Sequence, residues 1–222
     1  MAAVTRDLVE QAVRAVLAEQ LAGQQAALRV LQRPRLVVNT SARHVHVTPE
    51  VLERLFGPGA KLTPMRPLYQ EGEFAADQTV AVFGPRQRVI PNVRILGPTR
   101  RYTQVELSFT DGIHLGIDLP VRPSGNHEGT PGCALAGPHG VVELHQGVIR
   151  AERHVHMHPQ EAAYYGVKDG DYLRLRVDSA CPVVLERLLC RVSEAVKLEV
   201  HLDTDEANAC DLAHARRVEL FV

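Results

Sequence analysis

The 222-residue sequence lacks an excess of either charge: 25 lysines and arginines meet 26 aspartates and glutamates, a formal net charge of −1. That balance excludes a polyanion-binding surface as the default, so no nucleic-acid partner is expected. No run approaches the ~20 apolar residues of a membrane span, and no membrane partner is expected either. With 45% hydrophobic and 23% charged residues, the chain reads as water-soluble and globular. Its opening, MAAVTRDLVEQAVRAVL, carries charges inside the apolar pattern and no small-residue cleavage site, unlike a secretory signal. The four cysteines, Cys133, Cys181, Cys190 and Cys210, form no CxxC pair and fall short of a disulfide scaffold, which points to reduced thiols in a cytosol-like compartment. A glycine-rich phosphate loop is missing, which disfavours nucleotide hydrolysis and hydride transfer, and so is a G-x-S-x-G elbow. Cys133 has no nearby partner that would make it a nucleophile. Tryptophan is absent, with only five tyrosines and five phenylalanines, whereas histidine occurs eleven times. The histidines are unevenly spread.

This length allows one large or two small domains and a core that needs no staples. Val4, Leu8, Val9, Ala12, Val16, Leu17 and Leu21 recur every three or four residues, which predicts an amphipathic helix, followed by a second helical stretch that Pro34 closes. From residue 35 the texture changes to short β-branched runs such as RLVVN, QTVAVF, RVIPNVRIL, TQVELSF, HLGIDL, YLRLRV and VKLEVHL. Gly, Pro, Asn or Asp separates them at intervals that suit small barrels or sandwiches. Three short helices are expected, after Thr48-Pro49, after His158-Pro159 and at Asp203 to Glu206, from proline at the first helical position and a capping-box pattern. The fold class is therefore mainly β with short capping helices.

One segment repeats. Arg43-His44-Val45-His46-Val47-Thr48-Pro49 recurs 110 residues later as Arg153-His154-Val155-His156-Met157-His158-Pro159. Each copy runs into a short helix, a glycine (Gly57, Gly166) and a β run, so duplication of a small β domain is the economical reading. The expected organisation is a helical extension over 1–33, a first β domain over 35–120, a connecting segment over 121–139 and a second β domain over 140–222.

Residues two apart on a strand share a face, so His44 and His46 project together, as do His154 and His156. Two imidazoles at that spacing can offer nitrogens to one metal ion, but they make only half a site. A single His-x-His is more often a surface pair or a satisfied core pair; recurrence in register favours metal. Glu106 within TQVELSF and His201 at the end of VKLEVH are candidate further ligands, although an alternating strand can also carry either on its solvent face. His114, His127, His139, His145, His158 and His214 lack paired spacing and read as surface or loop residues. Gly97-Pro98-Thr99-Arg100-Arg101 is a turn that presents two guanidiniums, suited to phosphate or carboxylate. Arg122-Pro123-Ser124-Gly125 is a second turn whose N–H groups and hydroxyl can hold an anion. Both turns can equally be solvated loops. The residues alone support a two-domain β metalloprotein with an anion pocket.

The segments SARHVHVTPE, GPTRRYTQVEL, RPSGNHEGTPG, ERHVHMHP and HLDTDEANA, in that order from about residue 35 to 222, resemble the PduL-type phosphotransacylases (phosphate propanoyltransferases) of bacterial microcompartments. The resemblance implies a pair of β-barrel domains with two zinc ions in a cleft between them. It implies the reversible reaction of propanoyl-CoA or acetyl-CoA with phosphate to give acyl phosphate and CoA, in propanediol degradation or a related pathway. Carried over by motif, His44, His46 and Glu106 hold one zinc and His154, His156 and His201 the other. Arg100 binds phosphate and Ser124 lines the same pocket, with Pro123 a departure where many relatives carry an acidic residue. The N-terminal helix resembles an encapsulation peptide, implying shell or core proteins as partners and the microcompartment lumen as the location. Its apolar stripe also suits docking on its own barrels or on a second subunit of a homo-oligomer. A zinc-dependent thioester or ester hydrolase, or a structural metal-binding module, would use the same histidines.

Overall fold

The computed structural model describes residues 6–21 and 33–222. The second helical stretch expected over 22–32 lies outside them, as do Val4 and Thr5. The chain divides into two compact units, Met1–Arg35 and Leu36–Val222. In the first, α1 spans Arg6–Leu21 and leaves Val9, Val13 and Leu17 about half exposed. No helix among the described residues is long and apolar enough to cross a membrane.

The second unit is mainly β. Its first half runs β1 (Val37–Ser41), β2 (His44–His46), α2 (Pro49–Phe56), β3 (Pro64–Pro67), β4 (Phe74–Phe83), β5 (Val89–Gly97), β6 (Gln104–Glu106), α3 (Phe109–Leu115), β7 (Val121–Arg122), β8 (Cys133–Ala136) and β9 (Val141–Leu144). The second half runs β10 (Val148–Ala151), β11 (His154–Met157), α4 (Pro159–Tyr165), β12 (Tyr172–Asp178), β13 (Val183–Val192), β14 (Glu199–Asp203), α5 (Thr204–Ala209) and β15 (Arg217–Phe221). A nine-stranded sheet has the order β7-β10-β6-β2-β5-β4-β8-β9, with β3 also on β4; a six-stranded sheet has the order β1-β14-β11-β13-β12-β15. Neither order closes on itself among the described residues, so each sheet is a curled half-barrel rather than a closed barrel.

The two sheets repeat one plan. Taken from one edge, β10-β6-β2-β5-β4-β8 matches β1-β14-β11-β13-β12-β15 in order. Every neighbouring pair also matches in direction: parallel, antiparallel, parallel, antiparallel, antiparallel. The first strand of each half is exchanged. Val37–Ser41 joins the sheet built by the second half, and Val148–Ala151 joins the sheet built by the first. Segments 35–120 and 140–222 therefore do not map one-to-one onto the sheets, because local β pattern carries no information about which sheet a strand will enter.

Each sheet has its own aliphatic core. Val45, Ile95, Val105 and Leu135 are fully buried in one, and Val155, Leu173, Leu188 and Val200 in the other. Each such side chain contributes at most about 1.5–3 kcal/mol of transfer free energy. The helices begin where the sequence signals them. Thr48 caps α2 by accepting from Val51 N at 3.2 Å, with Pro49 in the first turn. His158 caps α4 through its ring, accepting from Gln160 N at 3.3 Å, and so leaves the group of merely exposed histidines. α3 is a correction: TQVELSF and HLGIDL read as strands, yet only Gln104–Glu106 is strand, and a helix starts at Phe109. Ser108 accepts from Asp111 N while Asp111 accepts from Ser108 N, a complete capping box. Gly116 ends the helix at φ +79°, a left-handed conformation that glycine adopts without a side-chain clash.

Candidate metal centre

Strand alternation builds the site. In β2 and β11 the central valines, Val45 and Val155, are 0% exposed and enter the two cores, so the flanking histidines share the opposite face. Register then supplies the third donor. His44 stands opposite Glu106 on β6, and His154 stands opposite His201 on β14, at equivalent places of the repeated sheet. His44, His46 and Glu106 bring one donor atom each to within 4.8 Å of one another, and so do His154, His156 and His201.

Both leading histidines are oriented alike. His44 Nδ1 donates to the Ala42 carbonyl at 2.8 Å, and His154 Nδ1 to the Glu152 carbonyl at 2.8 Å. With the proton on Nδ1, each Nε2 keeps its lone pair for the site, the arrangement that backbone carbonyls impose on metal-ligating histidines. His44 Nε2 lies 3.2 Å from His46 Nε2 and 3.5 Å from Glu106 Oε2. In the second triad, the His154 and His201 rings stack at 4.8 Å and His156 meets both nearly edge-on.

Burial and neighbouring charges keep His46, His154 and His156 unprotonated. Burial lowers the His46 pKa to about 2, helped by His44 and the Arg100 guanidinium. Burial and then His201 lower His154 to about 4; burial, His154 and His201 lower His156 to about 3. Burial alone would raise the Glu106 carboxyl, but His44, His46 and the Ser124 hydroxyl outweigh it and hold it below the ordinary range. Imidazole nitrogens and a carboxylate that converge in this way form a donor set for a divalent cation. Two-nitrogen-one-oxygen and three-nitrogen sets suit zinc, and cobalt, nickel or copper also accept them.

The two triads open on shared space. Glu106, His154 and His201 line one small cavity, and His44 and His201 both line a cleft of about 430 Å³ walled by Arg43, Met65, Leu68 and Leu96. Arg100 lies near the first triad. Its backbone N–H donates to the Val47 carbonyl at 2.9 Å, and Nη2 meets Glu73 Oε1 at 3.2 Å. Ser124 donates its hydroxyl to Glu106 Oε1 at 2.9 Å, and the Gly125 N–H of the same turn is taken by Gln104 Oε1 at 2.8 Å. Cys133 is buried in a core, where burial pushes its thiol up to about 12.

Two buried polar residues went unnoticed in the sequence. Gln104, opposite His46, donates to Glu106 Oε1 at 2.6 Å and to Ser124 Oγ at 2.9 Å. Glu199, opposite His156, accepts from Asn39 Nδ2 at 2.5 Å and from Gln70 Nε2 at 2.6 Å, and its Oε2 lies 3.0 Å from His201 Nε2. Burial pushes the Glu199 carboxyl up, but His201, Asn39 and Gln70 bring it down to about 2. Their one signal is position: each stands two residues before a candidate ligand, hence on the same strand face.

A family model described as phosphate propanoyltransferase matches residues 37–213, from β1 to beyond α5 and across both triads. A phosphate propanoyltransferase of Planctopirus limnophila is 58% identical over 223 residues, covering 98% of this chain and 91% of the relative. One of Thermotoga maritima is 50% identical over 182 residues, covering 82% and 86%. One of Listeria monocytogenes is 40% identical over 193 residues, covering 87% and 90%.

Proposed function

The chain belongs to the phosphate propanoyltransferase family and is a phosphate acyltransferase, and on that premise we propose that it interconverts propanoyl-CoA or acetyl-CoA plus phosphate with acyl phosphate plus CoA, by direct transfer beside two zinc ions. The observation that carries the zinc-assisted reading is the pair of buried donor triads at equivalent positions of the repeated sheet, with members of both lining one cavity. Zinc bound there would act as a Lewis acid toward the acyl oxygen and would stabilise the CoA thiolate.

The chain's own residues supply the rest. Arg100 binds phosphate through its planar fork and fixes the approach of the attacking oxygen. Its neighbour Glu73 holds the guanidinium until phosphate displaces that contact. In the forward direction a phosphate oxygen attacks the thioester carbonyl carbon, the carbon–sulfur bond breaks and CoA leaves as thiolate. In reverse the thiolate attacks the acyl phosphate carbonyl and the carbon–oxygen bond breaks. No enzyme nucleophile is needed, and the buried Cys133 thiol is unsuited to be one. Ser124 and Gln104 keep Glu106 ionised and aimed. The apolar side of the cleft, at Met65, Leu68 and Leu96, receives the acyl chain; one methylene separates acetyl from propanoyl and is worth only ~0.8 kcal/mol of burial. The two halves descend from one duplicated barrel-like unit, and the N-terminal helix directs the enzyme to shell or core proteins in a microcompartment lumen.

The test is CoA release from propanoyl- and acetyl-CoA with and without phosphate, beside elemental analysis of the purified protein. Phosphate-dependent release with two zinc ions per chain is expected, and His44→Ala and His154→Ala should each remove metal and rate together. Release that ignores phosphate makes the protein a thioester hydrolase. Metal without CoA turnover makes it a structural metal module. Full activity with both ions retained in either variant overturns the assignment.

A further inference from the structure

The Glu199 carboxyl is 3% exposed, yet among the described residues no lysine or arginine reaches it. Its partners are two neutral amides, Asn39 and Gln70, and the His201 ring. A carboxylate withdrawn from water needs a compensating positive charge as well as hydrogen bonds. Three other buried carboxylates have one: Asp203 and Glu206 meet Arg150, Glu206 also meets Arg153 at 2.8 Å, and Asp111 meets Arg43 at 3.2 Å, whereas Glu106 of the first triad, like Glu199, has histidine in place of lysine or arginine. Glu199 instead faces the three-histidine triad.

Comparison of the two sheets gives that isolation a meaning. His46 pairs with Gln104, and His156 pairs with Glu199, at the same place of the repeated plan. One position further along the same face, Glu106 occupies the place of His201. The first centre thus has a carboxylate as donor and an amide beside it; the second has an imidazole as donor and a carboxylate beside it. Each centre has one carboxyl group, placed differently. His201 Nε2 is buried, and although Glu199 Oε2 is 3.0 Å away, it lies off the line that a good hydrogen bond requires. The ring is within reach of the carboxylate while the rest of its direction is set by the stack on His154.

We propose that Glu199 is the carboxylate partner of the three-histidine centre: it positions His201 for a divalent cation and balances that cation's charge, as Glu106 does as a donor in the first centre. Asn39, opposite His201 on the exchanged strand, and Gln70, which also ties to the Lys197 backbone through both amide atoms, hold Glu199 in place. Glu199 is a positioning residue, since it acts through His201. The inference rests on the metal reading above.

The experiment is metal titration of the chelator-treated full chain with zinc, and with cobalt read by its visible absorption, for the parent protein, Glu199→Gln and Glu199→Asp. The parent is expected to hold two ions. Glu199→Gln is expected to hold one with unchanged affinity and the other about 10- to 100-fold more weakly, as loss of such an outer partner does, with an altered cobalt spectrum. Glu199→Asp should recover part of the affinity. In a His201→Ala background, Glu199→Gln should cause no further loss. If Glu199→Gln fails to fold by circular dichroism, Asn39→Ala, which frees one carboxylate oxygen, should weaken the same ion. Two ions bound with parental affinity and spectrum in Glu199→Gln overturn the inference and leave the function intact. Fewer than two ions in the parent overturns the two-metal reading itself, and this inference with it.

Discussion

Neutral imidazoles buried at His46, His154 and His156 make the metal-free protein sensitive to acid. Their folded pKa values, about 2, 4 and 3, lie below the ordinary 6.5. Below pH ~6.5 the unfolded chain therefore binds more protons than the folded one, and stability rises with pH. The contribution is complete above the unfolded value and is lost as pH falls toward the folded values; Glu199, held at about 2 against 4.5, adds to the loss at lower pH. Thermal unfolding of chelator-treated protein should show the midpoint falling steadily from about pH 7 to about pH 5, the slope flattening in His156→Gln. A midpoint unchanged over that range would contradict buried, neutral rings. The same rings were legible in the sequence because the two-residue strand period puts His44 with His46 and His154 with His156 on one face. Glu106 and His201 were legible only as polar residues in strands. Gln104 and Glu199 were not, since an alternating polar residue ordinarily marks a solvent face, and it becomes informative once both faces of β6 and β14 are known to be buried. The turn at Ser124 reads from sequence as one that can hold an anion; in the structure its hydroxyl donates to Glu106 and the Gly125 N–H to Gln104.

Among the elements, the helices that follow the third donor strands hold β6 and β14 in place. α3 and α5 each start on a capping box, Ser108 with Asp111 and Asp203 with Glu206. Arg43 and Arg153, the residues just before each histidine pair, reach Asp111 and Glu206. The helix N-terminus is thereby tied to the strand that carries the histidines. Ser108→Ala should cost about 1 kcal/mol, read as a lower urea midpoint at unchanged slope. Asp203→Ala should cost more, because Asp203 also pairs with Arg150, which the exchanged strand β10 carries in the other sheet. Equal losses would mean that the Arg150 contact adds nothing. α5 was legible from its Asp-x-x-Glu cap, whereas FTDGIHL hid a helix: threonine and glycine lower its propensity, and its β-branched and aromatic residues resemble a strand run. The cap and the left-handed glycine outweigh that composition.

For the molecule as a whole, the consequential feature is the reciprocal exchange of β1 and β10. Without β1, strand β14 would lose its parallel neighbour, and Glu199 would lose the Asn39 amide. Without β10, β6 would lose the strand paired along Val105 and Glu106. Each candidate metal centre thus depends on a strand from the other half of the chain, and neither half is expected to bind metal alone. The repeat of Arg-His-x-His-x-x-Pro points to two similar halves, and the sheets do repeat one strand plan, but the exchange is invisible in the sequence, because a five-residue β run pairs with whatever edge the tertiary structure offers. The N-terminal boundary is therefore a sharp test. Deleting residues 1–22 should leave kinetics, metal content and unfolding unchanged while abolishing co-sedimentation with shell proteins, if the helix has the targeting role proposed. Deletion through Ser41 removes only nineteen further residues, yet should abolish the three-histidine ion and lower the unfolding midpoint. Particle association surviving the shorter deletion would reassign α1 to another partner. Two ions and parental stability surviving the longer one would mean that the second sheet completes its centre without the exchanged strand, and the coupling between the halves would have to be sought elsewhere.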